Sequence, residues 1–196
     1  MKKGIILVAI MAACAVVANA QPRAIGGRLG AFDGVSYQHS FGDSNMLEVE
    51  LGFNFGTYWG NRINGRTSDG TKWHMFGHDI QAAVTYDWID PFGATFPWDH
   101  KGEWHWYLGV GGAGGYGWYG NTYEKGVGTV GTNANWGFVG GAGRAGVEYD
   151  FWFPLQLSID YRPTLGVGLI DDGKGGARAG CYWDMLSLCL GVRYKF

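Results

Sequence analysis

The sequence predicts an all-β fold of eight antiparallel strands, and three observations predict it. Of the 196 residues, 36 are glycine and 32 are aromatic (10 Trp, 11 Tyr, 11 Phe). The glycines lack the every-third-residue spacing of collagen, and so many aromatics exclude a disordered Gly-rich tail. Apolar and polar residues alternate with period two over most of the chain, the pattern of strands with one apolar face. Segments rich in Gly, Asn, Asp and Thr separate these runs. The length allows one domain, or two small ones. With 15 basic against 17 acidic residues, a net charge of −2, the chain lacks the dense basic surface of a dedicated nucleic-acid binder.

The first element is a leader. Lys2 and Lys3 precede an apolar run from Gly4 to Val17, and Ala18-Asn19-Ala20 supplies small residues before Gln21. These are the parts of a secretory signal peptide cleaved after Ala20. Processing at Cys14, after Met11-Ala12-Ala13, is a second reading. The run of 14 residues is short for a bilayer span, and no later segment reaches ~18 consecutive apolar residues. The expected organisation is therefore a cleaved segment 1–20 and one domain 21–196, with 13 basic and 17 acidic residues.

Eight strands are expected at 23–31, 34–41, 46–58, 73–89, 103–118, 134–151, 155–169 and 181–196. In the first two, Ile25 and Leu29 oppose Arg28, Asp33-Gly34 offers a tight turn, and Val35 and Tyr37 oppose Ser36 and Gln38. In the third, Leu47, Val49, Leu51, Phe53 and Phe55 alternate with Glu48, Glu50 and Asn54. In the fourth, Ile80, Ala82, Val84, Tyr86 and Trp88 alternate with Asp79, Gln81, Thr85 and Asp87. Trp104, Trp106, Leu108 and Val110 face away from His105 and Tyr107, and Val139, Ala145, Val147, Tyr149 and Phe151 face away from Arg144, Glu148 and Asp150. The seventh strand sets Leu155, Leu157, Ile159, Tyr161, Pro163, Leu165, Val167 and Leu169 against Gln156, Ser158, Asp160, Arg162 and Thr164. The last sets Leu186, Leu188, Leu190, Val192, Tyr194 and Phe196 against Met185, Ser187, Cys189, Arg193 and Lys195. Were residues 23–41 one bulged strand, the count would be seven.

Alternation alone does not decide which face meets water, because a soluble sandwich and a membrane barrel assign the two faces oppositely. A leader combined with the terminal Tyr194-Lys195-Phe196 decides it, since this ending resembles the C-terminal strand of bacterial outer-membrane barrels. The expected fold class is then an all-β, eight-stranded antiparallel up-and-down transmembrane β-barrel. The mature 176 residues give 22 per strand and connection, which suits a membrane strand of ~9–11 residues with its loop. An even count puts both ends of the chain on one side. Connections 42–45 and 152–154 then form short periplasmic turns, while 59–72, 119–133 and 170–180 form longer external loops. The segment 90–102, with Pro91 and Pro97, is long for a periplasmic turn.

The mature chain resembles the small eight-stranded outer-membrane barrels of the OmpX and OmpA-barrel type. The resemblance rests on Ala24-Ile25-Gly26-Gly27-Arg28-Leu29-Gly30, Ser36-Tyr37-Gln38-His39 and Leu155-Gln156-Leu157-Ser158-Ile159-Asp160-Tyr161-Arg162-Pro163. It implies residence in the bacterial outer membrane, contact with outer-membrane lipids including lipopolysaccharide, and assembly by the barrel-assembly machinery through the C-terminal strand. It identifies architecture more than activity, since such barrels include adhesion and host-contact proteins, envelope-stabilising proteins and a few lipid-modifying enzymes.

The expected inward charges are Arg28, Glu48, Glu50, Asp79, Asp87, Arg144, Glu148, Asp150, Asp160, Arg162, Arg193 and Lys195, five basic and seven acidic. An interior just wide enough for side chains should hold them as ion pairs, a plugged core. A narrow ion or water path is the competing reading.

Gly109–Gly114 and Gly141–Gly146 match G-x-G-x-x-G but open no helix, so they predict no dinucleotide site. On neighbouring strands, Gly112, Gly114, Gly141 and Gly143 would instead make a smooth outward patch, either a seat for an acyl chain or partner protein or simply a place where strands bend. His74 and His78 share a face ~13 Å apart, too far to hold one metal. As bases with Thr57 or Ser68 as nucleophile they show no recognisable spacing, and adjacent His39 and Ser40 point to opposite faces. Cys181 and Cys189, ~27 Å apart along one strand, form no disulfide and are both expected inside.

Aromatics gather at both strand ends: Tyr86, Trp88, Trp104, Trp106, Tyr149, Phe151, Tyr194 and Phe196 at one, and Phe55, Trp59, Trp73, Tyr116 and Trp118 at the other. These are expected as interfacial girdles. Trp118, Tyr119 and Tyr123 could alternatively form a sugar-binding platform. No catalytic residue, cofactor or metal site is expected. The functional expectation is a non-enzymatic envelope barrel whose external loops are available for a surface partner. A lipid-modifying enzyme and a narrow channel are the alternatives.

Overall fold

The structure is a computed structural model and describes residues 23–54, 62–66, 70–92, 101–171 and 177–196, so the expected leader lies outside the described residues. All regular structure among them is strand: β1 (Arg23–Gly30), β2 (Asp33–Phe41), β3 (Asn45–Asn54), β4 (Arg62–Arg66), β5 (Lys72–Pro91), β6 (Gly102–Glu124), β7 (Gly128–Phe151), β8 (Leu155–Tyr161), β9 (Thr164–Asp171), β10 (Ala177–Asp184) and β11 (Leu188–Lys195). These make eight staves, because β3 with β4, β8 with β9, and β10 with β11 are each two parts of one stave.

The staves close on themselves, and they close differently at the two ends. Near the chain termini the ring is β1-β2-β3-β5-β6-β7-β8-β11, eight antiparallel strands sealed by β1 on β11. Further along, it is β4-β5-β6-β7-β9-β10, six strands sealed by β4 on β10 through Ile63↔Tyr182 and Asn64↔Cys181. The first hairpin causes the change. β1 and β2 turn back at Ala31-Phe32 after only 8 and 9 residues, so above that level β10 has lost its neighbour and reaches across to β4. The stave breaks at 162–163 and 185–187 fall where partners are exchanged. There Arg162 N donates to Ser187 O at 2.9 Å, and Pro163, which has no N–H to offer a ladder, contributes its carbonyl to Gly143 N at 2.9 Å.

The turn expected at Asp33-Gly34 therefore lies two residues earlier. Gly30 adopts φ 141°, a conformation that favours glycine, and its N–H donates to Asp33 Oδ1 at 2.9 Å, which leaves Asp33 and Gly34 free to begin β2. Residues 23–41 are thus two strands, and the stave count is eight.

The polarity of the barrel is inverted relative to a soluble protein. Arg28, Glu48, Asp87, Arg144, Asp160 and Arg193 are buried inside, whereas Leu29, Leu51, Val110, Leu165, Leu188 and Leu190 are each more than half exposed on the outer wall. Only an apolar surrounding makes such a wall stable, and a closed barrel leaves no unpaired backbone to meet it. The chain is a transmembrane β-barrel. The outward apolar run covers Ile80 to Trp88 on β5 and Trp106 to Tyr116 on β6, nine and eleven residues, the length a tilted strand needs to cross the hydrocarbon core. At one border Tyr86 meets Trp88 edge-on at 5.7 Å between ring centroids and Trp104 meets Tyr149 at 4.9 Å, the expected girdle near the termini.

Four expectations are corrected here. Segment 119–133 is not a long loop: β6 and β7 continue through it to a tight turn at 125–127 with Gly126 and Gly128 at φ 90° and 92°. Likewise β4 occupies part of 59–72, and β9 and β10 take up much of 170–180, whose tip at 172–176 lies outside the described residues. Cys181 faces outward, while Cys189 is buried as expected. The bend at Met185-Leu186-Ser187 exposes two consecutive residues and so reverses the parity of everything before it. In the folded barrel, of the two cysteines in the described residues, a lipid-soluble maleimide is expected to modify Cys181 alone, with Cys189 reacting only after unfolding. Two reactive thiols in the folded barrel, read by intact mass, would refute this parity change.

Candidate functional site

The interior has two layers, and the inward sequence of each explains its content. In the eight-strand layer, alternate residues of β1, β3, β5, β7, β8 and β11 bring charges from distant parts of the chain to one axis. Glu48 is the hub: it accepts from Arg144 Nη2 at 2.6 Å, Arg193 Nη2 at 2.8 Å, Arg28 Nη1 at 3.2 Å and Gln38 Nε2 at 2.9 Å. Arg28 also pairs with Glu50 and Asp160. Arg144 pairs with Asp87 at 2.7 Å and lies 4.3 Å above the Tyr107 ring, whose hydroxyl donates to Asp160 at 3.2 Å. Arg162 pairs with Glu50 at 3.0 Å and sits 5.1 Å from the ring of Phe32, carried in by the short first hairpin. Four guanidiniums and four carboxylates thus neutralise one another, as buried charges of both signs must.

The six-strand layer is apolar, which the sequence reading missed. Ile63, Trp73, Met75, Trp136, Phe138, Ile170 and Tyr182 fill it as one buried cluster. Phe138 stacks on Tyr182 at 3.7 Å between centroids with planes 7° apart, and Trp136 lies 6.3 Å from Tyr182. A six-strand ring is too narrow for large side chains on every inward position, and several of the large ones lie against glycines: Trp73 on Gly65, Phe138 on Gly115, Trp136 on Gly117, Ile63 on Gly168 and Gly180. The glycine richness of the chain is in part this large-against-small pairing. Trp73, expected in the external girdle, is therefore inside, 2 % exposed, whereas Tyr116 is 53 % exposed on the outer wall. Trp73 follows Lys72 at the start of β5, where too little alternation precedes it to fix its face.

The described part of the predicted inward set is inside: ten of its members are buried, and Asp150 and Lys195, paired at 2.8 Å, lie half-buried at the end near the termini. There the barrel opens into a cavity of about 400 Å³ lined by Arg23, Gln38, His105, Glu148, Asp150 and Lys195, among others. His105 and Glu148 are directly opposite on β6 and β7, and Glu103 is opposite Asp150.

The other candidates stay apart. His74 and His78 both face outward on β5, and Thr57 and Ser68 lie outside the described residues. His39 packs on the outer wall between Tyr37 and Phe41, on the opposite face from Ser40. Both G-x-G-x-x-G segments run through the middle of β6 and β7. Gly112 and Gly141 are paired and exposed on the outer wall, with Gly114 and Gly143 beside them, so the smooth patch is present. Trp118 is half-buried, and the side chains of Tyr119 and Tyr123 lie outside the described residues.

No protein-family model matches the chain, and no curated protein matches it. Among solved structures it is similar to the crystal structure of Ail, the attachment invasion locus protein of Yersinia pestis, in complex with the heparin analogue sucrose octasulfate. The match has 12 % identity, covers 90 % of this chain and 97 % of that one, and has a TM-score of 0.40.

Proposed function

We propose that this chain is a non-conducting, non-enzymatic barrel of the bacterial outer membrane that presents a projecting hairpin to the cell's surroundings. One observation carries the reading: among the described residues the barrel axis is occupied by an ion-paired layer and then by a packed, mainly aromatic and aliphatic layer with Asp79 and Asp184 near its Tyr182, an interior suited to a plug rather than a pore. With the termini on the periplasmic side, the far end faces outward. There β6 and β7 run on from Tyr116 to Glu124 beyond the apolar belt, ~26 Å along the strand at about 3.3 Å per residue. Val127, 69 % exposed, stands at the tip of that hairpin. Such a projection is suited to contact with a surface partner or the lipopolysaccharide layer. The C-terminal strand, ending Tyr194-Lys195-Phe196, is the segment suited to recognition by the assembly machinery.

The test is reconstitution of the folded barrel in planar bilayers, alongside the lipid A mass profile of cells with and without the protein. We expect no stepwise conductance and an unchanged profile. Conductance abolished by substitution of Asp160 would establish a channel instead, and a shifted lipid A mass would establish an enzyme.

A further inference from the structure

We propose that the periplasmic mouth of the barrel binds one divalent transition-metal cation, of the zinc type, through His105, Glu148 and Asp150. Each of the three offers a donor atom, and these atoms lie within 4.8 Å of one another. A zinc-type cation holds nitrogen and oxygen ligands at about 2.0–2.2 Å in a tetrahedral set, so its donors stand about 3.4 Å apart. Rotamer adjustments of about an ångström close the set. The sheet provides this arrangement: His105 and Glu148 are cross-strand partners, and Asp150 follows Glu148 by two residues on the same face.

A second, independent observation points to a cation. Glu148 is 2 % exposed, yet among the described residues no basic side chain forms an ion pair with it, and its one hydrogen bond is from Gln38 Nε2 at 3.4 Å. The hub carboxylate Glu48, on the same axis, is held by three guanidiniums. A buried carboxylate with no basic side chain in contact is costly to keep charged; Arg144 and Arg193 act on it only from beyond ion-pair distance, and a bound cation supplies the missing contact. The other two ligands also have atoms to spare. Asp150 accepts from Lys195 Nζ at Oδ2, 2.8 Å away, and keeps a buried Oδ1 with no hydrogen-bond partner, and His105 Nδ1 is likewise buried without one. His105 Nε2 faces Glu103 Oε2 at 3.7 Å, where a carboxylate serves to orient a ligating imidazole. The cavity of about 400 Å³ beside the three gives a hydrated ion access and leaves room for water in the remaining positions. Spacing along the chain does not reveal this set, because its ligands come from two strands more than forty residues apart.

The test is calorimetric titration of the folded mature barrel in detergent micelles, first stripped with chelator, with zinc chloride alone. We expect one ion per chain, with affinity reduced about tenfold or more by Glu148→Gln and by His105→Ala. The double variant His74→Ala/His78→Ala, which removes the outward histidines on β5, should bind as the wild type does. Folding of each variant is checked by its mobility shift between boiled and unboiled gel samples. For a variant that does not fold, cobalt(II) added to the wild-type barrel gives the answer: a visible absorption band displaced by zinc supports the site. Absence of saturable binding, binding indifferent to both mouth variants, or binding lost with His74 and His78 would overturn it.

Discussion

Glu48→Gln lowers the stability of the folded barrel by about 3–5 kcal/mol, the usual cost of removing one member of a buried ion pair. The cause is specific to one partner. Without Glu48, Arg28 keeps Glu50 and Asp160 and Arg144 keeps Asp87, but Arg193 keeps hydrogen bonds only to Ser36 Oγ, Ser158 Oγ and Gln156 Oε1, so among the described residues a buried guanidinium is left with no carboxylate in contact and only Glu148 beyond ion-pair distance. Asp87→Asn should cost less, because Arg144 remains on Glu48 at 2.6 Å and near Asp160 at 3.5 Å. It follows that Glu48→Gln combined with Arg193→Met recovers part of the loss, a coupling that a double-mutant cycle isolates. Urea unfolding in phospholipid vesicles, followed by tryptophan fluorescence, measures all four proteins. Additive losses in the double variant would show that Arg193 is not the stranded group.

Gly117→Leu is expected to be as severe, by at least the roughly 3 kcal/mol at the upper end of overpacking costs. A Cβ at this position would overlap the indole of Trp136, which is 2 % exposed and locked among Phe138 and Tyr182. Gly112→Leu on the same strand points into open space on the outer wall, its nearest neighbour Gly140 O at 3.6 Å from the new Cβ, and should fold as the wild type does. Trp136→Ala alone leaves a cavity costing about 3–5 kcal/mol. Adding it to Gly117→Leu moves the bulk from one stave to its neighbour and should restore part of the stability. The gel mobility of the folded band reads all of these, and a well-folded Gly117→Leu single variant would refute the large-against-small account of the apolar layer.

What could be read from the sequence was set by local geometry. Successive side chains of a strand point to opposite faces, so an unbroken run fixes which residues share a side. Leu186 to Phe196, Ile80 to Trp88 and Leu155 to Leu169 are such runs, and their faces came out as read, the last even across the break at Arg162-Pro163. The inward charges followed for the same reason, as did the conclusion that they must pair. The parity of Cys181 and the position of Trp73 did not follow. One lies beyond a bend that admits an extra exposed residue, and the other lies where alternation has only begun.

The partners themselves are a different matter. That Glu48 meets Arg144 and Arg193, 96 and 145 residues away, depends on barrel closure and stagger, which alternation does not encode. The narrowing from eight strands to six depends on one short hairpin and on the reach of β10 to β4. The three ligands at the mouth come together only through the register of β6 on β7. The sequence by itself determined that this chain makes alternating strands with one charged and one apolar face, because side-chain direction is a property of each residue and its two neighbours, while the leader and the Tyr194-Lys195-Phe196 ending pointed to the charged face as the inner one. The tertiary structure alone decided that the barrel tapers, that its upper layer is packed with aromatics, and that its mouth gathers a histidine with two carboxylates, because strand register and ring closure are set by pairings between residues far apart in the chain.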